Sequence, residues 1–480
     1  MSANVLAGLE PQAVFGWFEK LCAIPHGSGN VTAIGDFCVQ FARERGLRCR
    51  KDEIGNVVIW KDPSPGYEDH PAVIIQGHLD MVCEKDPDCD LDFKRDGLRL
   101  AVDGDRLYAK GTTLGGDDGF AVACALAVLD GETLRHPPLE VLLTADEEIG
   151  LLGATALDPS DLKGRVLLNL DSEEEGILTV SCAGGATAQM TLPVKCVPAE
   201  GTRYRLEVSG LEGGHSGSEI HKGGGNANKL LAEALAVLDC ASPLRLAGLA
   251  GGSKDNAIPR AASARFISRA PDGLLQTLTA NFEAEARERF PNEPGLAVTC
   301  AAEGEAAEGW DRESTVRALR LLRELPNGVQ AMSRDIAGLV ETSLNLGILR
   351  ADGGTMELGL SVRSSLGQDK RFLLAALEDL SARCGASYSV HGEYPAWEYR
   401  KDSPLRERMV EVFEAQYGRK PQVEAIHAGL ECGILAGKLP GLDSVSFGPD
   451  MSGVHTSNET LSISSSARVW QYLCAVLERL

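Results

Sequence analysis

His78 and Asp80 stand two residues apart, just after an apolar run at 72–76, in a chain of 480 residues. Three more apolar runs end in a similar way. The run at 139–143 leads into Asp146-Glu147-Glu148, the run at 166–170 into Asp171, and the run at 444–447 into a loop that reaches His455. A further acidic pair, Asp117-Asp118, sits in the turn Gly115-Gly116-Asp117-Asp118-Gly119, ahead of an apolar helical stretch. A single acid after a strand ordinarily caps the next helix. Five such places with two imidazoles among them ask for another explanation, because like charges gathered at one rim need cations to hold them together. Imidazole and carboxylate donors are a natural set for Zn²⁺ or Mn²⁺. Of two adjacent glutamates, one can bind metal while the other acts as general base; spacing alone does not say which.

For these residues to meet, strands must deliver them to one edge. The first part of the chain alternates short apolar runs with helical stretches. Strands are expected at 57–60, 72–76, 139–143 and 166–170, with helices at 13–23 and 119–129. This alternation predicts an α/β fold with a largely parallel sheet, and in such sheets ligands bind outside the carboxyl ends of the strands. From about residue 186 the pattern changes. Alternating strands at 187–192, 204–208 and 355–361 have one wet face, and helices are expected at 228–238 and 273–289. This middle region reads as α+β. A helix at 405–417, a buried strand at 444–447 and a terminal helix at 467–480 then return to the first style. Because His455 must rejoin the rim, the expected catalytic domain is discontinuous, 1–185 and 397–480, with 186–396 inserted as a lid.

Composition narrows the function classes. Hydrophobic residues are 44% and charged residues 24%, as in a soluble globular protein. Lys+Arg 47 against Asp+Glu 69 gives a net charge of −22, which repels phosphate backbones, so neither nucleic acid nor an anionic membrane is expected as a partner. The longest apolar stretch, 120–129, is too short to span a bilayer. The 13 cysteines are scattered with no C-x-x-C pair, and residues 1–16 lack a secretory pattern. Both point to reduced thiols and a cytoplasmic location.

The motifs resemble those of a known family. Gly77-His78-Leu79-Asp80, Gly116-Asp117-Asp118-Gly119, Asp146-Glu147-Glu148-Ile149-Gly150, Asn169-Leu170-Asp171-Ser172 and Val454-His455 are similar to the metal motifs of the co-catalytic zinc peptidases, a group that includes carboxypeptidase G, aminoacylase and several dipeptidases. Further stretches resemble the aminoacyl-histidine dipeptidase branch. They are Ile24-Pro25-His26-Gly27-Ser28-Gly29-Asn30, Leu170-Asp171-Ser172-Glu173-Glu174-Glu175-Gly176, Gly213-Gly214-His215-Ser216-Gly217 and His427-Ala428-Gly429-Leu430-Glu431. The likeness covers essentially the whole chain with its motifs in order. It implies a zinc-peptidase catalytic domain with a mostly parallel mixed sheet flanked by helices, plus the α+β lid. It also implies two zinc ions per chain, with manganese or cobalt as substitutes. Asp117 would bridge them; His78 and Asp171 would complete one ion, Glu148 and His455 the other. Asp80 would fix the His78 imidazole.

The implied reaction is hydrolysis of a dipeptide, Xaa-His and carnosine-like substrates included, by a metal-bridged hydroxide with Glu147 as general base. An N-acyl amino acid deacylase or amidohydrolase of the same architecture is the alternative, and monomer and homodimer both remain open. A dipeptidase must read both substrate termini, and the lid is where the resemblance places those contacts. His215 is expected to donate to the oxyanion, Asn256 to touch substrate, and Arg363 to pair with its carboxylate. Glu173-Glu174-Glu175 reads as a charged loop, one member of which could meet an ammonium. His26, His70, His136, His221 and His391 read as surface or packing residues. His427 and Glu431, four apart, would share one face of a helix and are left without a role.

Overall fold

A computed structural model describes residues 5–352 and 354–480. The chain divides into two compact units. The first comprises Met1–Cys182, Tyr399–Ala425 and Leu430–Leu480, and the second Ala183–Glu398 with Ile426–Gly429.

An eight-stranded sheet organises the first unit. Its order is Arg48–Lys51, Val57–Lys61, Leu139–Thr144, Val73–His78, Val166–Asn169, Asp443–Ser446, Ile177–Cys182 and Gln422–Ile426. The four strands from Leu139–Thr144 to Asp443–Ser446 run parallel. Beyond them Val57–Lys61 and Ile177–Cys182 pair antiparallel. The largely parallel sheet is thus parallel at its centre and antiparallel on both sides. Every residue of Val73–His78 and of Leu139–Thr144 is buried, which is why these strands read as near-continuous apolar runs. Register sets His78 beside Thr144 and Gln76 beside Asn169. The chain therefore leaves three neighbouring strands at one edge just before Asp80, Glu147 and Asp171.

The helix Gly116–Asp130 packs against Gln12–Cys22 and against Val73–His78. It is buried nearly all round, from Phe120 to Leu129, so truncating Phe120 to Ala would cost about 3–5 kcal/mol. Its close approach depends on Gly77, where a Cβ would lie 2.6 Å from both Asp118 Oδ2 and Ala121 Cβ. The late segment rejoins the unit twice. Asp443–Ser446 enters the main sheet, and a short hairpin, Met451–Ser452 with Thr460–Ser462, pairs with Arg106–Ala109 in a separate four-stranded sheet. His455 lies in that hairpin's loop. No alternation in the sequence marked these short strands.

The second unit is built on a nine-stranded antiparallel sheet whose strands include Gly184–Pro193, Thr202–Ser209, Val340–Asp352 and Thr355–Ser364. Along Gly184–Pro193, Ala188, Met190 and Leu192 are buried while Gln189 is exposed, the alternation of a half-wet sheet. The covered face packs on a core shared with the helices Ala227–Ala241, Asp272–Arg289, Arg312–Glu324 and Gly367–Cys384. All 13 cysteines are free thiols. Among the described residues, no helix is long and apolar enough to cross a membrane.

Candidate metal centre and a second polar cluster

His78 ends the central strand and is buried. Its Nδ1 donates to the backbone carbonyl of Asp80 at 3.0 Å, and its Nε2 lies 3.0 Å from Asp117 Oδ1 and 3.9 Å from Asp171 Oδ1. Its backbone N–H donates to Asp118 Oδ2 at 3.1 Å. On the other side of Asp117, Oδ2 is 3.2 Å from His455 Nε2, which is also 2.9 Å from Glu148 Oε1. The Asp117 carboxylate thus stands between the two imidazoles. Burial would raise its pKa, but the hydrogen bonds and charges of His455 and His78 win and hold it well below the usual carboxylate range.

Potential ligand atoms gather in three overlapping groups, each within 4.8 Å: His78 with Asp118 and Asp171, His78 with Glu147 and Glu148, and Asp117 with Glu148 and His455. The third group contains the trio that the sequence motifs suggested for one ion. The first brings Asp118 beside His78 and Asp171, and Asp118 Oδ1 is buried with no hydrogen-bond partner. Among the described residues, no Lys or Arg forms an ion pair with any of these carboxylates. Burial, then repulsion from Asp117 and Asp118, pushes Asp171 far above its ordinary pKa. His78 makes the same point. Its Nδ1 donates to the Asp80 carbonyl, so Nε2 is the nitrogen that faces the Asp117 and Asp171 oxygens. It meets them either through a proton, which, against the effect of burial, these carboxylates favour by raising the imidazole well above its ordinary value, or through a metal ion in its place. These nitrogen and oxygen donors fit a hard or borderline divalent metal.

Glu147 and Glu148 lie in a loop that begins at Asp146, whose φ is 53°. Regular strand geometry would turn their side chains to opposite faces; the loop places both in one ligand group with His78. Asp80 holds this loop. Its Oδ1 accepts from Glu147 N–H at 2.9 Å, and its Oδ2 from Ser28 Oγ at 2.8 Å and Glu148 N–H at 3.3 Å. The same carboxylate is 3.6 Å from His78 Nδ1, so the shorter contact to that imidazole is made by the Asp80 backbone rather than by its side chain. Burial would raise the Asp80 carboxyl, and the nearby His78 imidazole with the hydrogen bonds from Ser28 and Glu147 N–H holds it below the ordinary value. Gly29 N–H donates to Asp146 Oδ1 at 2.6 Å. The segment around His26–Asn30 therefore braces the loop from outside. Burial, with Glu431, Glu148 and Asp117 adding to it against the pull of His78, pushes Glu147 up to about 8. A carboxyl near neutrality is suited to move protons in both directions.

Two buried glutamates support the centre, and the sequence reading assigned neither. Glu431 Oε2 accepts from Gln76 Nε2 and Thr144 Oγ, both at 2.5 Å, while Gln76 Oε1 accepts from Asn169 Nδ2 at 2.6 Å. This network joins the three strands that lead to His78, Glu147 and Asp171. Glu459 accepts from the backbone N–H groups of Leu114, Gly115 and Gly116. The expected helical pairing of His427 with Glu431 does not form, because the helix Glu431–Lys438 only begins at Glu431. Of the acidic triplet, Glu175 is engaged by Arg468 Nη2 at 2.5 Å, whereas Glu173 is raised by burial and by the nearby Asp117 and Glu148.

The second unit gathers the other sequence candidates. His215 pairs with Ala257 in a short two-stranded ribbon, which sets it beside Asn256, whose backbone carbonyl accepts from Ser216 N–H at 2.8 Å. Asn256 is an exposed turn residue. His215 Nδ1 accepts from Gly217 N–H at 3.2 Å and Ser218 N–H at 3.1 Å, so the ring proton is on Nε2. Arg363 is only 8% exposed, and its Nη1 donates to Tyr394 Oη at 3.0 Å while its Nε is buried without a partner. Across the strand pair, Ser343 faces Arg363 and its Oγ lies 2.7 Å from His427 Nε2. Burial and the Arg363 charge lower His427 to about 4. Ser343 and Tyr394 carried no sequence signal.

Known proteins resemble this chain in sequence and fold. A family model described as Peptidase family M20/M25/M40 matches residues 74–479. The cytosol non-specific dipeptidase of Escherichia coli (strain K12) is 37% identical over 479 residues, 99% of each chain. The crystal structure of an aminoacylhistidine dipeptidase from Vibrio alginolyticus matches with a TM-score of 0.94 and 36% identity, covering 100% of this chain and 98% of that one. The aminopeptidase PepT of Bacillus cereus ATCC 10987, with a TM-score of 0.57 and 16% identity over 98% of both chains, shares the fold.

Proposed function

The chain belongs to peptidase family M20/M25/M40, and on that premise we propose that it is a metal-dependent dipeptidase acting on Xaa-His and carnosine-like dipeptides. The observation that carries this reading is the Asp117 carboxylate held 3.0 Å from His78 Nε2 and 3.2 Å from His455 Nε2, with Glu148, Asp171 and Glu147 around it. Full-length kinship to a dipeptidase supports the substrate class.

Two divalent cations, zinc with manganese or cobalt as substitutes, would be held by His78, Asp171 and Asp117 and by Glu148, His455 and Asp117, and when bound would polarise the scissile carbonyl and acidify water. Glu147 makes no side-chain hydrogen bond among the described residues. It is the general base: it takes a proton from the attacking water and returns it to the leaving amine nitrogen. Asp80, by accepting the Glu147 and Glu148 N–H groups, holds base and ligand in one loop. Substrate contact is assigned to His215, Asn256 and Arg363. His215 offers an Nε2–H, the donor an oxyanion needs. Arg363 offers a buried guanidinium, suited to a carboxylate.

The test compares hydrolysis of carnosine, Leu-His, a dipeptide without His, a tripeptide and an acetyl-amino acid by metal-loaded protein, with metal content measured in parallel. Cleavage of the dipeptides, abolished by chelation and restored by added zinc, is expected. Cleavage of the acetyl-amino acid alone would replace this reading with that of a deacylase.

A further inference from the structure

Glu459 closes the loop that carries His455. It is 3% exposed, yet it meets backbone amides rather than a basic side chain. Leu114 and Gly115 N–H donate to Oε2 at 2.9 and 3.2 Å, and Gly116 N–H donates to Oε1 at 2.7 Å. Gly115 adopts φ 65°, the left-handed turn that lets successive N–H groups converge on one anion. The fit is close: a Cβ on Gly116 would lie 3.3 Å from Glu459 Oε1. The next residue in the chain is Asp117.

The loop between His455 and Glu459 is internally braced. Thr456 N–H and Thr456 Oγ both donate to the Gly453 carbonyl, at 3.1 and 2.6 Å, and Glu459 N–H donates to the Thr456 carbonyl at 3.1 Å. One short loop thus reaches Asp117 twice. The His455 imidazole approaches its side chain at 3.2 Å, and Glu459 grips the backbone leading to it. The separation of His455 from Asp117 is spanned by this clasp. The contact of His78 with Asp117 is set instead from the central sheet strand, whose end is held by the bond from His78 N–H to Asp118.

We propose that Glu459 is a positioning residue for the ion held by Asp117, Glu148 and His455, and that the ion held by His78, Asp171 and the shared Asp117, whose His78 contact is set from the sheet strand, depends on it far less. The inference rests on the two-ion reading above. Partners that orient metal ligands contribute about 10- to 100-fold to affinity, and Glu459 acts on the ligand Asp117 through its backbone and on His455 through their shared loop.

The experiment titrates the metal-free full-length protein with Co²⁺, following visible absorption and calorimetric stoichiometry. Wild type is expected to bind two ions, and His455→Ala to keep one tight ion. In Glu459→Gln the ion that His455→Ala removes should lose about 10- to 100-fold in affinity while the other stays within about twofold. Gly116→Ala keeps the carboxylate and disturbs the same contact from the opposite side; it should weaken the same ion, and it serves if the Gln variant does not fold. Unchanged affinities for both ions, or equal losses at both, would overturn the proposal. A wild type that binds a single ion would instead overturn the two-ion reading on which it rests.

Discussion

Asp80 Oδ1 accepts the backbone N–H of Glu147 at 2.9 Å. The residue two places after His78 thereby sets the loop bearing Glu147 and Glu148, 67 positions further along the chain. Asp80→Asn keeps the size but puts a donor where one acceptor was needed. Turnover should fall about 10- to 100-fold while the metal content, read by atomic absorption, stays at the wild-type level. A loss of metal equal to the loss of turnover would show that Asp80 serves the ions rather than the Glu147 loop.

Glu147→Gln removes the proposed base and leaves the proposed ligand set intact. The expected result is an unchanged metal content with kcat lowered by about 10²- to 10⁴-fold. A variant turning over at near the wild-type rate would place the base elsewhere.

Arg363→Ala should raise KM for a dipeptide about 10- to 100-fold through loss of a charge-assisted contact. A dipeptide amide, which lacks the carboxylate, should lose far less. Equal losses on the two substrates would mean that Arg363 does not read the carboxylate.

Tyr394 holds Arg363, and a glycine makes room for it. A Cβ at Gly429 would lie 2.7 Å from the Tyr394 ring. Gly429→Ala should therefore displace the tyrosine and raise KM about tenfold with kcat within about threefold, the signature of lost binding. A steady-state comparison with Tyr394→Phe checks the route, since both variants act on the same Arg363 contact.

His427 supplies a pH signature. Burial and the Arg363 charge lower it from 6.5 to about 4, so the unfolded chain binds the extra proton first. Stability attached to this group is complete above pH 6.5 and is lost as the pH falls toward 4, by at most about 3 kcal/mol. His427→Gln should flatten that limb of the denaturation profile measured between pH 6.5 and 4. An unaltered slope would assign it to other groups.

Much of this was legible in the residues. The apolar runs ending in His78, Glu147 and Asp171 announced buried strands because two-sided burial leaves no alternation to hide them, and the structure places them at Val73–His78, Leu139–Thr144 and Val166–Asn169. The middle region betrayed its sheet through alternation, as at Ala188, Met190 and Leu192. Supports were harder to see. Glu459 and Glu431 act on partners more than 280 positions away, and a buried glutamate bound to backbone or amide groups has the same one-letter signature as a solvated one. Tyr394 and Ser343 matter through register, which a single sequence does not print. The four-residue stretch Ile426–Gly429 belongs to the second unit while Leu430 and Glu431 belong to the first, and nothing in the composition of that stretch marks the crossing.

The strand Asp443–Ser446 lies between Val166–Asn169 and Ile177–Cys182. A segment made more than 250 residues after its two neighbours thus fills the interior slot between them. Until it arrives, those neighbours expose unsatisfied edges toward each other, and the gap cannot be closed locally. Such wide sequence separation slows folding and lengthens the time an open edge is at risk of pairing with another chain. The same wedge that locks the finished sheet thus leaves its completion waiting on a distant stretch of chain.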